Sequence, residues 1–226
     1  MGVSDLGRAT GMPKATAQRL LSVLERRGLI EKEDGRYRLG AGIVPLARAF
    51  LESNSLTRAA RPVLEELAVV SGETASLFVR EGFDRVVVQR VEGPHSLRYT
   101  IRVGQRLPLH VGASGQVLAA AMPEDELRQL LAQLGEIRLA TGQTLTHGDL
   151  LAKLERVRQQ GFAISIEERD VGVVSVAAPV ARPGRGTIAA IAVTGPPSRM
   201  TREKIEYLTV EVRRAAQEVA SAFGRV

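Results

Sequence analysis

The N-terminal region holds a group of polar side chains that can hydrogen-bond to DNA: Lys14, Thr16, Gln18 and Arg19. Thr16 and Arg19 lie about one helical turn apart, so on a helix they share an exposed face. On that face Thr16 can contact a phosphate or the methyl group of thymine, and Arg19 can contact the edge of guanine or a phosphate. We therefore predict that this group reads base edges in a major groove.

Two further cations, Lys32 and Arg36, flank a predicted hairpin tip at Asp34-Gly35. An Asp-Gly pair between short apolar strands is typical of a tight hairpin turn, and cations beside it can hold the DNA backbone next to the minor groove. The order of predicted elements is a short helix, a glycine turn, a helix over about 13–27 and this hairpin. That order is typical of a winged helix–turn–helix domain, which we predict for residues 1–40.

The longer of these two helices carries an apolar stripe. Ala17, Leu20, Leu21 and Leu24 recur at i, i+3, i+4 and i+7, which predicts that one helix face is buried. Winged helix–turn–helix domains usually have another helix ahead of the first one predicted here, and residues 1–3 leave no room for it. We therefore expect the core around Leu20 and Leu24 to be incompletely covered. Either the native start of the chain lies upstream, which we favour, or another element or subunit covers the gap.

A second group of small and hydroxyl-bearing residues lies on predicted strands of the C-terminal region. Because side chains alternate along a strand, Ser165 lies on the face opposite its apolar neighbours, Ser175 lies on one face of the next strand, and Ala192 and Thr194 share a face of the last. The loop Ala113-Ser114-Gly115 opens a helix whose N-terminal amides suit a carboxylate. These residues predict a cavity for a small organic acid, if the strand faces coincide. The alternative is that the small residues permit close helix packing and the hydroxyls bond to the backbone.

The elements that position these residues follow from hydrophobic periodicity. After the first forty residues, a helix over 43–54 is predicted as a connector, with Pro45 in its first turn. The remainder predicts an α+β domain with a largely antiparallel sheet. Its predicted helices cover 62–71, 112–122, 123–134, 149–160 and 201–223, and its predicted strands cover 75–80, 85–91, 97–103, 162–167, 173–180 and 187–195.

Composition narrows the classes of protein and site. The net charge is +6 and the sequence pI is about 10.3, and residues 1–40 hold eight basic against five acidic residues, which favours a polyanionic partner. The chain has no cysteine, which excludes disulfides and thiolate zinc sites, and its three histidines are scattered, so we expect no metal and no cofactor. No apolar run is long enough for a signal sequence or a membrane span, so we expect a cytoplasmic protein.

Several separated motifs together resemble one family. The chain is similar to the IclR family of bacterial transcriptional regulators in GMPKATAQRLLSVLERRGLI followed by GRYRLG, in RLPLHVGASGQVLAAAM, in GFAISIEERDVGVVSVAAPV and in TGPPSRMT, which occur in the family's order. The resemblance implies an N-terminal winged helix–turn–helix, a linker helix and a C-terminal GAF-like domain that binds a small effector and helps build homodimers or homotetramers. The boundaries that we predict are 1–40, 41–56 and 57–226.

The resemblance also implies which residues form the effector pocket. Ser165 and Ala192 make this pocket less polar than in some members, so a larger or aromatic acid is compatible with it as well as a small dicarboxylate. Members often have Lys after the GASG motif, where this chain has Gln116, which removes one charged contact. The pocket positions carried over are Ala113, Ser114, Ser165, Ser175, Ala192 and Thr194.

The sequence disfavours two other classes of function. Catalysis is disfavoured because Gly112–Gly115 is not a G-x-S-x-G elbow, a Ser114–His110 pair is common by chance, and the acidic cluster 167–170 is expected to cap a turn and pair internally. A GAF-like sensor or scaffold acting only through protein contacts would not need an exposed basic helix end. We therefore expect a sequence-specific regulator, repressor or activator, that binds a double-stranded DNA operator under the control of a small organic acid.

Overall fold

The computed structural model describes residues 1–96, 99, 101–182 and 184–224. The chain divides into two compact units, Met1–Asn54 and Ser55–Val226. Each unit has its own arrangement of helices and strands.

The first unit has the predicted order of elements. Gly11 ends the first helix in the left-handed conformation, with φ of 67°, and Pro13 immediately precedes the second helix instead of lying in its first turn. Asp34 and Gly35, with φ of 49° and 75°, form the tip of the hairpin. The elements are α1 (Val3–Thr10), α2 (Lys14–Arg26), β1 (Ile30–Glu33), β2 (Arg36–Leu39) and α3 (Ile43–Ser53).

The predicted apolar stripe of α2 is only half buried. Ala17 and Leu21 are buried, whereas Leu20 is 46% exposed and Leu24 is 38% exposed, so the stripe is not buried as a whole, and the incomplete cover expected around these two leucines is confirmed. The physical reason is that α2 packs against α1 and β1, and these elements cover only part of the apolar face. No other element in the described residues buries Leu20 and Leu24 as fully as the core residues are buried.

The second unit is built on a six-stranded, entirely antiparallel sheet with the order β5-β4-β3-β10-β9-β8. This arrangement confirms the predicted α+β class. The strands are β3 (Thr74–Glu81), β4 (Asp84–Val91), β5 (Arg106–Pro108), β8 (Ala163–Ile166), β9 (Val174–Arg182) and β10 (Gly186–Gly195), and a separate two-stranded pair is formed by β6 (Ile137–Arg138) and β7 (Thr144–Leu145).

Helices cover both faces of this sheet, and each face has its own apolar core. One core includes the helix that carries the GASG sequence together with Phe78 and Val87, and the other includes Leu64 and Leu208 with the opposite side chains of the strands. The first face is covered by α5 (Ala113–Ala120), α6 (Glu124–Gln133) and α7 (His147–Gln160), and the second by α4 (Ser55–Ser71) and α8 (Arg202–Gly224).

Two predicted elements differ from the structure. Residues 101–103 form no strand, and residues 97, 98 and 100 lie outside the described residues; the edge of the sheet is instead β5, which follows a turn at Gly104 with φ of 85°. Helix α4 begins at Ser55, before the predicted start at Pro62, because Leu56 and Ala60 pack into the same core as the rest of the helix. Burial of these side chains outweighs the backbone hydrogen bond that Pro62 cannot donate.

The described part of the chain contains no helix that is both long and apolar enough to span a membrane. It also contains no cluster of three or more histidine or acidic side chains able to hold a metal ion.

Candidate functional site

A row of hydroxyl groups crosses three neighbouring strands of the large sheet. Ser165 on β8 is paired in register with Ser175 on β9, and Ser175 is paired with Thr194 on β10. Paired residues of adjacent strands project from the same face, so the three side chains line one surface. The strand faces therefore coincide, as the cavity prediction requires.

This row lines a cavity between the sheet and the start of α5. The space is partly open to solvent. Four of the six residues predicted for the pocket line it, namely Ser114, Ser165, Ser175 and Thr194. The remaining lining residues are Phe78, Arg85, Tyr99, Ile101, Leu107, Gly112, Arg169, Asp170 and Val173.

Ala113 and Ala192 were also predicted to line the pocket, but the structure places both in the apolar core, each 1% exposed. Ala192 is paired with Ala177, and Ala177 with Ala163, so alanines form a row next to the hydroxyl row. Helix α5 packs on these strands, and the small side chains allow it to approach closely. Close helix packing is therefore the role of the alanine row, whereas the hydroxyl row faces the cavity.

The cavity hydroxyls have no hydrogen-bond partner within the described part of the chain. Ser114 and Ser165 are each 4% exposed and Thr194 is 6% exposed. Among the described residues, no hydrogen bond joins their side-chain oxygens, or that of Ser175, to another group. These oxygens are therefore available to a bound molecule or to water.

Arg85, which the sequence analysis did not single out, is the most buried cation of the cavity. It is 3% exposed, and its guanidinium donates to the carbonyl oxygens of Pro108 and Val111, the latter at 2.8 Å. Its Nε has no partner among the described residues. Burial, with a smaller contribution from the charge of Arg169, lowers the pKa of Arg85 to about 9, so the group stays positively charged at neutral pH.

The glycines of the GASG loop make room for Arg85. A Cβ added at Gly115 would lie 2.5 Å from the carbonyl oxygen of Leu109 and would also collide with the guanidinium. Arg85 lies on the same face of β4 as the buried Val87, two residues further along the strand. An arginine on the same strand face as the core-facing Val87 is thus the sequence signal that identifies this residue.

Tyr99, Arg169 and Asp170 form an aromatic and ionic cluster in the lining of the cavity. The carboxylate of Asp170 pairs with Arg169 at 2.5 Å and accepts a hydrogen bond from the Tyr99 hydroxyl at 3.0 Å. The Arg169 guanidinium also lies 5.4 Å from the centre of the Tyr99 ring. Within the acidic cluster 167–170, Arg169 and Asp170 therefore pair with each other as predicted, and Arg169 contributes a second cation to the cavity lining.

The start of α5 already holds a carboxylate from the protein. Glu168, which is 5% exposed, accepts hydrogen bonds from the Gly112 backbone N–H at 3.0 Å, from the Gln116 side chain at 2.6 Å and from Lys153 at 2.6 Å. The sequence predicts that amides of the loop 113–115 receive the carboxylate of a ligand, and Glu168 binds the amide of Gly112 directly before that loop. Lys153 on α7 supplies a positive charge next to the uncharged Gln116.

Replacing this carboxylate is expected to destabilise the second unit. A Glu168→Gln side chain would direct an NH₂ group at one of three donors and would leave Lys153 without its counterion. We expect a loss of about 2–3 kcal/mol in the free energy of unfolding, measured by urea denaturation followed by circular dichroism. The control Glu136→Gln, at a half-exposed ion pair with Arg138, should change stability by less than about 0.5 kcal/mol. Equal stability of the two variants would contradict this role of Glu168.

The first unit presents the predicted DNA-contacting residues on its surface. Lys14, Gln18 and Arg19 are exposed at the start of α2, and Thr16 is half-buried there. None of these four side chains has a hydrogen-bond or ion-pair partner among the described residues. The N-terminal end of α2 is therefore free to contact another molecule.

The hairpin carries both free and paired cations. Arg36 is exposed without a partner in the described residues, and Lys32 lies 5.8 Å from the centre of the Tyr37 ring. Arg38, in contrast, pairs with Glu31 at 3.0 Å and with Glu33 at 2.8 Å. The cations nearest the hairpin tip are thus the ones left available for phosphates.

Comparison with protein families identifies both units. Residues 1–34 match the family described as the IclR helix-turn-helix domain. Residues 48–221 match the family described as the bacterial transcriptional regulator IclR C-terminal domain. The two matches occur in the order of the two compact units and together account for most of the chain.

Individual proteins match over nearly the full length of the chain. The HTH-type transcriptional repressor AllR of Salmonella typhi is 30% identical over 225 residues, which cover 98% of this chain and 82% of that protein. The crystal structure of a candidate IclR transcriptional regulator from Silicibacter sp. TM1040 has a TM-score of 0.85 at 31% identity and covers 99% of this chain and 89% of that one. An IclR homologue from Microbacterium hydrocarbonoxydans, crystallised with 4-hydroxybenzoate, has a TM-score of 0.76 at 24% identity, covering 100% and 92% of the two chains.

Proposed function

Because the chain belongs to the IclR family of bacterial transcriptional regulators, we propose that it binds a specific DNA operator and that a small organic acid in the cavity controls this binding. The first unit reads the operator, and the second unit is the receptor for the acid. A regulator of this kind acts in the cytoplasm, where bacterial DNA lies.

Surface chemistry of the first unit supports the proposed contact with DNA. Lys14, Thr16, Gln18 and Arg19 would enter the major groove, while Lys32 and Arg36 would contact the backbone beside it. Their side chains make no ion pairs with acidic groups of the described chain, so binding DNA breaks no existing ion pair. Base contacts by Thr16, Gln18 or Arg19 would supply sequence specificity.

We further propose that the active form is a homodimer or a homotetramer. Two first units on a palindromic operator would place two recognition helices in successive major grooves. Helix α3 supports this assembly because Val44, Leu46 and Phe50 are 68%, 55% and 46% exposed, and a second copy could bury them. One residue, Asn54, separates α3 from α4, so a change in the second unit has a short covalent route to the first.

The proposal of an acid effector depends on one observation above all. Nearly buried hydroxyls without partners in the described residues line a cavity that also contains the buried cation of Arg85. A carboxylate suits this cation and Arg169, and the apolar side chains of Phe78 and Leu107 suit a carbon skeleton. The Microbacterium homologue shares the fold at 24% identity, so the ligand proposed here depends on this chain's own cavity. We expect the acid to bind without conversion.

Two binding measurements test this function. In the first, purified protein is used to select fragments of genomic DNA, and the affinity of a selected fragment is measured across a salt series. A steep loss of affinity with rising salt is expected, because several phosphates would be neutralised. Binding without fragment preference or salt dependence would favour the alternative of a GAF-like scaffold.

In the second measurement, a panel of small carboxylic acids is screened for a rise in the thermal unfolding temperature. An acid that binds only the folded second unit raises that temperature by mass action. Neutral isosteres of the same acids provide the control for the charge. A panel in which no acid stabilises the protein would contradict the proposed effector class and leave the DNA-binding proposal standing.

A further inference from the structure

A buried ion pair outside the cavity joins Glu73 to Arg199. Glu73 lies between α4 and β3 and is 1% exposed. One of its carboxylate oxygens accepts a hydrogen bond from Nε of Arg199 at 2.5 Å, and the other accepts one from Nη2 at 2.7 Å. Nζ of Lys204, in the first turns of α8, lies 3.9 Å from the same carboxylate. A bidentate pair of this kind fixes the orientation of both groups.

One step along β10 separates this ion pair from the cavity. Thr194 lines the cavity, and the next residue is Gly195. Successive residues of a strand face opposite sides of the sheet, so Gly195 faces the side covered by α4 and α8, where Val193 is buried. A Cβ added at Gly195 would lie 2.7 Å from the carboxylate carbon of Glu73. The backbone of β10 therefore packs against the ion pair immediately beside a residue that lines the cavity.

The ion pair is also connected to the end of α4. The backbone N–H of Glu73 donates to the hydroxyl of Ser71, the last residue of α4, at 3.1 Å. Gly93 packs on the other side, where an added Cβ would lie 2.8 Å from the Cα of Glu73. Closely packed interiors have little room to absorb a displacement, so a shift of β10 at Gly195 must move the ion pair or α4. The single residue Asn54 separates the start of α4 from α3.

We propose that the Glu73–Arg199 ion pair is the link through which an occupied cavity acts on α4, and thereby on DNA binding. A ligand bonded to Thr194 shifts the end of β10, and the fixed carboxylate passes this shift to α4. Separating a buried charge pair is unfavourable, so the two side chains move as a unit. Glu73 is thus a positioning residue that acts through β10 and α4. This inference rests on the proposed function, because it concerns control of operator binding by the acid.

The test measures the operator affinity of the full chain by fluorescence anisotropy with and without an acid. The probes are benzoate, pentanoate and succinate, and the one that raises the thermal unfolding temperature most is used at saturation. Glu73→Gln keeps the size of the side chain and removes its charge. The change in operator affinity caused by the acid is expected to fall from at least about fivefold to less than about twofold. Operator affinity without acid, and acid affinity without operator, should each stay within about twofold of the parent, whereas a merely structural role would weaken both.

Two further variants separate this role from a general effect on stability. Glu66→Gln breaks an exposed ion pair between α4 and Arg214 of α8, so the acid should change operator affinity as it does in the parent. The double variant Glu73→Gln with Arg199→Gln removes both charges of the buried pair, which avoids leaving either one without the other. It should lose the response to the acid as the single variant does, and it decides the question where the single variant does not fold.

Three results would overturn the inference and leave control by the acid intact. One is a parent-like response in Glu73→Gln or in the double variant. Another is an equal loss of response in Glu66→Gln, because any weakening of the contact between α4 and α8 would then suffice. The third is failure of both Glu73 variants to fold, which would make the pair a requirement of the fold itself. A parent protein whose operator affinity none of the probe acids changes would contradict the proposed control together with this inference.

Discussion

Arg19→Ala is expected to weaken operator binding by about 1–3 kcal/mol, which corresponds to roughly a 5- to 150-fold loss of affinity. Arg19 is exposed at the N-terminal end of α2 and has no partner in the described chain, so its guanidinium is available for a guanine edge or a phosphate. The measurement is fluorescence anisotropy of a labelled operator fragment at fixed salt.

A salt series separates the two contacts that Arg19 can make. If Arg19 neutralises a phosphate, the variant should lower the slope of log affinity against log salt by about 1; if it reads a base, the slope should stay the same. The matched control is Arg128→Ala, which removes an exposed arginine of the second unit that pairs with Glu124. An Arg19→Ala variant that binds the operator as tightly as the control would remove Arg19 from the interface.

Ser175→Leu is expected to abolish the response to the acid while leaving DNA binding without the acid unchanged. Ser175 lies between Ser165 and Thr194 in the hydroxyl row, so a leucine there would project into the cavity and occupy the space of the ligand. The operator affinity of the variant is measured over a range of acid concentrations. A flat curve at the affinity of the unliganded parent is the expected result.

The control for this variant is Ser175→Ala, which removes the hydroxyl and keeps the space. Its response should persist at higher acid concentrations, because only one hydrogen bond is lost. A normal dose response in Ser175→Leu would place the effector site elsewhere in the molecule. Loss of DNA binding without acid would indicate that the leucine disturbs the fold, and circular dichroism detects that case.

Local patterns in the sequence were sufficient to predict most elements. The alternation of β3, β4, β9 and β10 and the period of α7 and α8 correspond to faces that are buried in the structure. The turns at Gly11 and at Asp34-Gly35 were predicted from the conformations that those residues tolerate. In these segments, the local preference and the tertiary packing agree.

Features that depend on tertiary contacts could not be predicted in this way. The start of α4 depends on the burial of Leu56 in a core that residues from distant parts of the chain complete. The role of Glu168 requires three elements to meet at one carboxylate. None of these arrangements leaves a periodic signal in the sequence.

The sequence likewise predicted only part of the candidate cavity. Strand alternation predicted which face Ser165, Ser175 and Thr194 occupy, and the register of the sheet brings them together. Alternation did not separate the hydroxyls that face the cavity from Ala192, because that depends on where α5 packs. Contact of Ser165, Ser175 and Thr194 with an effector stays a prediction.

Control of DNA binding by the acid requires a free energy of coupling between the two sites. Coupling energies of this kind are typically about 1–3 kcal/mol, equivalent to a 5- to 150-fold change in affinity, and they act equally in both directions. The acid that changes operator affinity should therefore show its own affinity changed by the same factor when the operator is bound.

The most direct test measures operator affinity by fluorescence anisotropy at one salt concentration, with and without a saturating concentration of an acid that has been shown to bind the protein. Our account predicts a change of at least fivefold in the dissociation constant of the operator. When the operator is bound, the dissociation constant of the acid should change by the same factor. Identical operator affinity with and without a bound acid would contradict the claim that the second unit is a receptor controlling the first.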